Sequence, residues 1–453
     1  KIFKPLITKG ASFADIFAEE TVFRSIVLED NKLEKIISGT DIGLGLRAIK
    51  DLKTIYSYTN ELDEKSAFAL SQEMSTILKG RSLFSAKTWS FSPQPVKPFI
   101  TRDPSEVSIK EEKGLLNLAN KAAKGVDHRI RQVKVVYASR VQNIFTANNL
   151  GETTSEQRAS TIFFVHAIAV EGDIIQTGYE PLAEARGFEL LSNDKVEDIA
   201  LKAARRALNL LNARPAPTGQ MCAVLSSSAG GTMIHEAVGH GFEADLAQEG
   251  LSVYSGKLNR KVASEEISIV DDATINAARG SFFYDDEGTP GQRAFLVENG
   301  VLKSFMYDRL TAMKDGVKST GNGRRESYRF SPIPRMTNTF IAPGRSDPED
   351  IVRSVDNGLL VVKMGGGQVD TVNGNFVFDV SEGYLLEKGR AVDMVRGATL
   401  IGNGPKVIRT IDMVGTDFGF GVGTCGKDGQ SVPISDAQPT LRIPQIVVGG
   451  TKV

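Results

Sequence analysis

Apolar and polar residues alternate along the chain from Ala14 to Asn60, the pattern of strands with one buried face. It predicts a meander that turns near "EDNK" (29–32) and breaks at the glycines of "GTDIGLG" (39–45). The apolar spacing then changes to three and four over "EKSAFALSQEMSTILK", which predicts a helix from Glu64 to Lys79. "SPQPVKPF" (92–99) has prolines at 93, 95 and 98 and reads as a linker or domain edge. A second helix–strands–helix unit follows. "VSIKEEKGLLNLANKAAKG" is helical, "RQVKVVYASRVQNIFTANN" and "STIFFVHAIAVEGDIIQTGYE" are strands, and "DKVEDIALKAARRALNLLNA" is a strong helix ended by "RPAPTG".

From Gln220 onward the pattern is rich in strands and glycine, with helices expected only around His235 and in "DPEDIVRSVDNG". "FLVENGVLKSF" carries Asn-Gly at the turn of a hairpin. Strands and helices without regular alternation predict an α+β fold rather than a doubly wound parallel sheet. The expected division is an N-terminal α+β domain (1–95), a central α+β domain (105–215) and a large strand-rich C-terminal domain (216–453) holding the helix around His235.

Composition narrows the function classes. A net charge of −1 over 453 residues offers no general attraction to nucleic-acid phosphates, so no nucleic-acid partner is expected. No apolar run approaches membrane-span length and the first residues carry no signal-peptide pattern, so no membrane partner is expected either. Two cysteines, Cys222 and Cys425, are no disulfide framework and suit a reducing, cytoplasmic setting.

Two of the chain's four histidines fall in "GGTMIHEAVGHGFEADL" (230–246), with Glu236 directly after His235 and His240 five positions from it. An α-helix advances about 100° per residue, so five residues separate two side chains by about 140°. The pair can share one ion only if the helix contains a π-bulge or ends and bends near Gly239 or Gly241. Otherwise His235 is a core residue and His240 a helix-end cap. A third ligand would come from Glu243, Asp245 or Cys425, whereas Cys222, in "QMCAVLSS", reads as a buried strand residue. Two imidazoles and a thiolate form a sound zinc shell with one position left for water.

The stretches "HEAVGHGFEADL", "FYDDEGTPGQ", "TGNGRRESYRFSPIPRMTNT", "GGGQVDTVNGNFVFDVSEGYLLEKG", "RGATLIGNG" and "GVGTCGKDGQSVP" occur in an order that resembles the TldD/PmbA metallopeptidase family, over essentially the whole chain. The resemblance implies the catalytic branch, with an H-E-x-x-x-H motif. It implies His235, His240 and Cys425 as ligands of one Zn2+ (or another divalent metal such as Fe2+), and Glu236 as the base. It further implies hydrolysis of peptide bonds in unfolded or extended peptides by a zinc-activated water, and a heterodimer with a TldE/PmbA-like subunit or a homodimer. Within that reading, Arg324, Arg325 and Tyr328 of "GNGRRESYRF" are candidate donors to a developing oxyanion, against the alternative of a solvated charged loop. Gly365, Gly366 and Gly367 would bare a strand edge for an extended substrate, unless they mark a bulge or turn.

Three other readings are weaker. "GVGTCGKD" from Gly421 fits G-x-x-x-x-G-K but ends in Asp428 where a P-loop needs Ser or Thr. "LSSSAGG" lacks the G-x-S-x-G elbow of a serine hydrolase. A metal-free interaction subunit would not need His235, Glu236, His240 and Cys425 together.

Overall fold

The computed structural model describes residues 1–80, 96, 100–370 and 372–450. After a short helix α1 (Lys4–Thr8), the predicted meander forms as β1 (Phe13–Glu29), β2 (Lys32–Lys50) and β3 (Lys53–Thr59), followed by α2 (Glu64–Ile77). The first turn falls at Asp30 and Asn31, both left-handed (φ 46 and 66), inside the predicted "EDNK". The glycine breaks do not occur, because β2 runs unbroken through "GTDIGLG". These glycines make room rather than a turn. A Cβ on Gly43 would stand 2.3 Å from the Tyr328 ring, and one on Gly45 1.8 Å from the Tyr56 hydroxyl. The proline-rich stretch 92–99 lies outside the described residues, except for Val96.

The second unit supplies α3 (Ile109–Lys124), β4 (Ile130–Asn148), β5 (Thr153–Glu171), β6 (Ile174–Glu184) and α4 (Asn193–Leu211). Both units share one antiparallel sheet of order β3-β2-β1-β4-β5-β6, joined where β1 pairs β4 from Asp15↔Asn148 to Glu29↔Lys134. Helix α4 begins at Ser192, whose side chain accepts from Lys195 N, and buries Val196, Ile199, Ala200, Ala203, Ala207 and Leu211 at helical spacing. That stripe joins Leu116 and Ala119 of α3 over Val133, Val135 and Phe163 of the sheet, while α1 and α2 cover the far end through Leu6, Ile7, Ala67 and Met74.

The C-terminal part builds two sheets around one large core. One has six strands and ends in a hairpin of Gly419–Lys427 and Gln430–Gln438. In the other, Asn357–Asp370 pairs with Gly219–Leu225 on one side and Asn375–Glu387 on the other. Leu441–Gly449 and Thr399–Asn403 complete the circuit, so these five strands close on themselves. The fold is thus mixed α and β and strand-rich, as predicted. More helices occur here than expected. Ala244–Gln248, Arg309–Asp315 and Gly404–Thr410 accompany the two predicted segments. Each is five to seven residues long, too short for apolar periodicity to show. Only cap chemistry marks them, such as the Asp308–Thr311 capping box and the left-handed Gly316.

"GVGTCGKD" lies within the hairpin and turns at Asp428 and Gly429 (φ 50 and 72) into another strand, not a helix, so the P-loop reading fails. The serines of "LSSSAGG" form the tight turn ahead of the histidine helix, with Ser226 capping it through Ser228 N.

Candidate metal centre

Helix α5 (Thr232–Ala237) carries His235 into the core between the two C-terminal sheets, where Met233, Ile234 and Ala237 are also buried. It stops before the second histidine. Val238 leaves helical geometry (φ −135, ψ −44), and Gly239–Phe242 form a separate tight 3-10 turn. The break, rather than a π-bulge, resolves the five-residue spacing. The flanking glycines contribute space, since a Cβ on Gly239 would meet Met336 Sδ at 2.4 Å and one on Gly241 the Tyr254 ring at 2.8 Å.

The hairpin delivers the third donor. Along "GFGVGTCGK" the residues alternate, and Gly419, Gly421, Gly423 and Cys425 share the face turned toward α5. Only a bare backbone fits there. A Cβ on Gly421 would lie 2.1 Å from Asp436 Oδ1, the atom that accepts from Gly231 N at the start of α5. This close approach brings Cys425 onto the histidines.

His235, His240 and Cys425 are all buried, and their donor atoms lie within 4.8 Å of one another. The imidazole centroids are 5.2 Å apart at 80°, and Cys425 Sγ is 3.6 Å from His240 Nε2. Burial pushes the thiol up, but the two imidazoles outweigh it and hold Cys425 at about 5, so a thiolate is present at neutral pH. Burial likewise opposes charge on the histidines. The thiolate raises His235, and Glu243 with the thiolate raises His240 well above its usual value. His235 Nδ1 is buried with no hydrogen-bond partner. Three soft-to-borderline donors, convergent and shielded from water, with an orphaned ring nitrogen beside them, fit a divalent ion of zinc type.

Glu243 and Asp245 are placed around this cluster rather than in it. Glu243 Oε2 is 2.9 Å from His240 Nδ1, leaving Nε2 directed to the sulfur. Burial raises the Glu243 carboxyl, yet Lys427 and His240 overcome that and hold it at about 2. Lys427 Nζ bridges Glu243 (3.1 Å) and Asp245 (2.7 Å). Arg335, fully buried, donates to the Cys425 carbonyl at 2.5 Å. Lys427 was legible as the residue two positions from Cys425 on the same strand face; Arg335 carries no local signal. Glu236 is half-buried, and its carboxylate joins no hydrogen bond or ion pair among the described residues. Cys222 is a half-buried strand residue packed near Ile351 and Val355.

The candidate substrate residues lie elsewhere. Arg324 and Arg325 are buried, not a solvated loop. Arg324 donates to the carbonyls of Met336 (2.6 Å) and Pro433 (2.8 Å), and Arg325 to that of Asp286 (2.9 Å). Tyr328 packs against Phe17 and Ile144 of the N-terminal sheet, and its N–H donates to Glu19. These contacts dock the segment and leave no free donor for an oxyanion on the tyrosine ring, which points to Asp41. The strand register slips between Met364 and Gly367, so Gly365 and Gly366 form a bulge opposite Asp379.

Comparison with known proteins matches the chain to three consecutive family profiles. These are PmbA/TldA metallopeptidase domain 1 over residues 14–76, the central domain over 102–211 and the C-terminal domain over 218–450. A metalloprotease TldD homolog of Buchnera aphidicola is 36% identical, covering 98% of this chain and 94% of that protein. A zinc metalloprotease TldD homolog of Saccharolobus solfataricus is 27% identical, covering 99% of each. Among solved structures, a modulator of a DNA gyrase from Thermotoga maritima has the same fold (TM-score 0.80, 24% identity, 99% of this chain and 98% of that one). So does TldE from Thermococcus kodakarensis (TM-score 0.73, 18% identity, 97% of each).

Proposed function

The chain belongs to the PmbA/TldD metallopeptidase family, and from that premise we propose that it is a metal-dependent peptidase whose ion is held by His235, His240 and Cys425, with Glu236 as the base. The observation that carries this reading is the convergence of three buried donors from two segments some 190 residues apart in sequence, within 4.8 Å. When bound, a zinc-type ion supplies Lewis acidity, polarising a carbonyl and acidifying a water. The chain's own residues do the rest. Glu236, next to a ligand and without another partner among the described residues, takes the proton of the attacking water and returns it to the departing amine. Glu243 holds the His240 ring by Nδ1, and Arg335 holds the backbone of Cys425.

Extended peptides are the proposed substrates. Asn357–Asp370 pairs with Gly219–Leu225 only from Gly358 to Val361, so its edge beyond Val361 has no strand partner there among the described residues. Main-chain hydrogen bonds along such an edge would hold an unfolded chain with weak sequence preference. A TldE-like subunit, by analogy with the TldE fold neighbour, or a second copy would be the partner.

The deciding experiment replaces Glu236 by Gln. The variant should keep a stoichiometric metal by native mass spectrometry and lose peptide cleavage by about 100-fold or more. Cleavage at the unmodified rate would refute the mechanism, and a metal-free unmodified protein would refute the site.

A further inference from the structure

A cavity of about 530 Å3 lies between the N-terminal sheet and the cysteine hairpin. Six arginines line it against three carboxylates, over a floor that includes Phe282 and Pro433. It is not the metal centre. None of His235, Glu236, His240 and Cys425 lines it. Pro433 pairs with Thr424, one register step from Cys425↔Val432, so its side chain faces away from the cysteine sulfur.

The charge in this cavity is incompletely matched. Arg158 pairs with Asp286 at 2.7 Å and Arg186 with Glu184 at 2.7 Å, while Arg140 stands 3.6 Å from Glu19. Arg279, Arg324 and Arg325 form no ion pair among the described residues. Among the described residues the Arg279 guanidinium donates only to the Gly423 carbonyl and the Thr424 hydroxyl, and that of Arg324 only to the carbonyls of Met336 and Pro433. The Nε–H groups of all three are buried without an acceptor among the described residues. Of the three carboxylates, Glu156 accepts from Phe283 N and Tyr284 N, and Glu326 accepts from Ser431 N. A buried guanidinium without a counter-ion is costly, so such sites persist where an anion supplies the missing charge. The guanidiniums of Arg158 and Arg324 stand 5.1 and 5.5 Å from the Phe282 ring, which sets an apolar surface beside the donors.

We propose that this cavity binds a small organic oxyanion bearing an apolar group, gripped by Arg279 and Arg324. A carboxylate, such as a peptide end, and a phosphate monoester share the required chemistry. Because the two arginines also hold the carbonyls of Gly423 and Pro433, the occupant sits behind the strand that presents Cys425.

Isothermal titration of the full metal-loaded chain at low salt tests this with three probes: N-acetylphenylalanine, its uncharged amide, and phenyl phosphate. At least one anion should bind roughly tenfold or more tightly than the amide, and the tighter one identifies the source. Arg279→Gln and Arg324→Gln should each weaken it by roughly tenfold. Arg279 is only half-buried, so its variant decides the matter if Arg324→Gln does not fold. Cys425→Ser should keep the binding, since the metal is on the other face. Neither anion binding more tightly than the amide, indifference to Arg279→Gln, or loss of binding in Cys425→Ser would each overturn the proposal.

Discussion

At the scale of single residues, Glu243 and Cys425 show how burial and charge are balanced around the proposed ion. Glu243 is fully buried, yet it stays ionised because Lys427 and the His240 ring face it. Its hydrogen bond fixes which ring nitrogen His240 turns to the cysteine. Glu243→Gln should therefore retain the fold but weaken metal binding by about 10–100-fold. Competition with a chelator measures this, and unchanged retention would show that the contact does not orient a ligand. Cys425→Ser should release the ion at neutral pH, because a serine hydroxyl does not ionise there as the thiol does. Metal content of the purified variant gives the answer. Residue types made His235, Glu236, His240 and Cys425 visible in the sequence. The part played by Glu243 was hidden, since a carboxylate near two histidines reads equally as ligand or as orienter until the ring nitrogens are placed.

At the scale of elements, backbone clearance governs what can meet. Helix α5 is six residues long and ends at Val238, which swings His240 round to the sulfur. The glycines of β2 and of the cysteine strand remove side chains where another segment passes. Their spacing resembles strand breaks in sequence, because an absent side chain marks a turn and a close approach alike. Gly45→Ala in β2 would force the Tyr56 hydroxyl and the Tyr328 carbonyl aside, and should cost about 1–3 kcal/mol in denaturant unfolding. A neutral outcome would mean that the docked "GNGRRESYRF" segment adjusts freely. The short C-terminal helices were illegible for a different reason: less than two turns gives no periodicity to read.

At the scale of the whole molecule, the N-terminal sheet and C-terminal part meet over buried charge. Arg47 of β2 joins Asp15 at 2.8 Å and Glu287 at 2.6 Å, beside Asp285 and Asp308. Burial, then Glu287, raises both aspartates, Asp285 well above its usual range and Asp308 to about 7. A carboxyl raised by folding keeps a proton that the unfolded chain has already lost. Its penalty is absent below about pH 4 and grows as pH climbs toward 7, so stability falls over that window. Asp308→Asn keeps the helix cap but cannot ionise, and should flatten the decline in melting temperature between about pH 4 and 7. An unchanged slope would remove Asp308 from the cause.

By itself the sequence determined the strand meander, the main helices, the mixed strand-rich class and the residue types of the candidate metal set, because each depends on periodicity or side-chain chemistry within a short stretch. Tertiary structure alone decided that the two N-terminal units share one sheet, since pairing between β1 and β4 leaves no mark in either strand. It also decided that Tyr328 docks on that sheet and that the arginines near it line a cavity. Cys425 and the histidines lie far apart along the chain, and only the packing of a glycine-faced strand against the start of α5 brings sulfur and imidazole together.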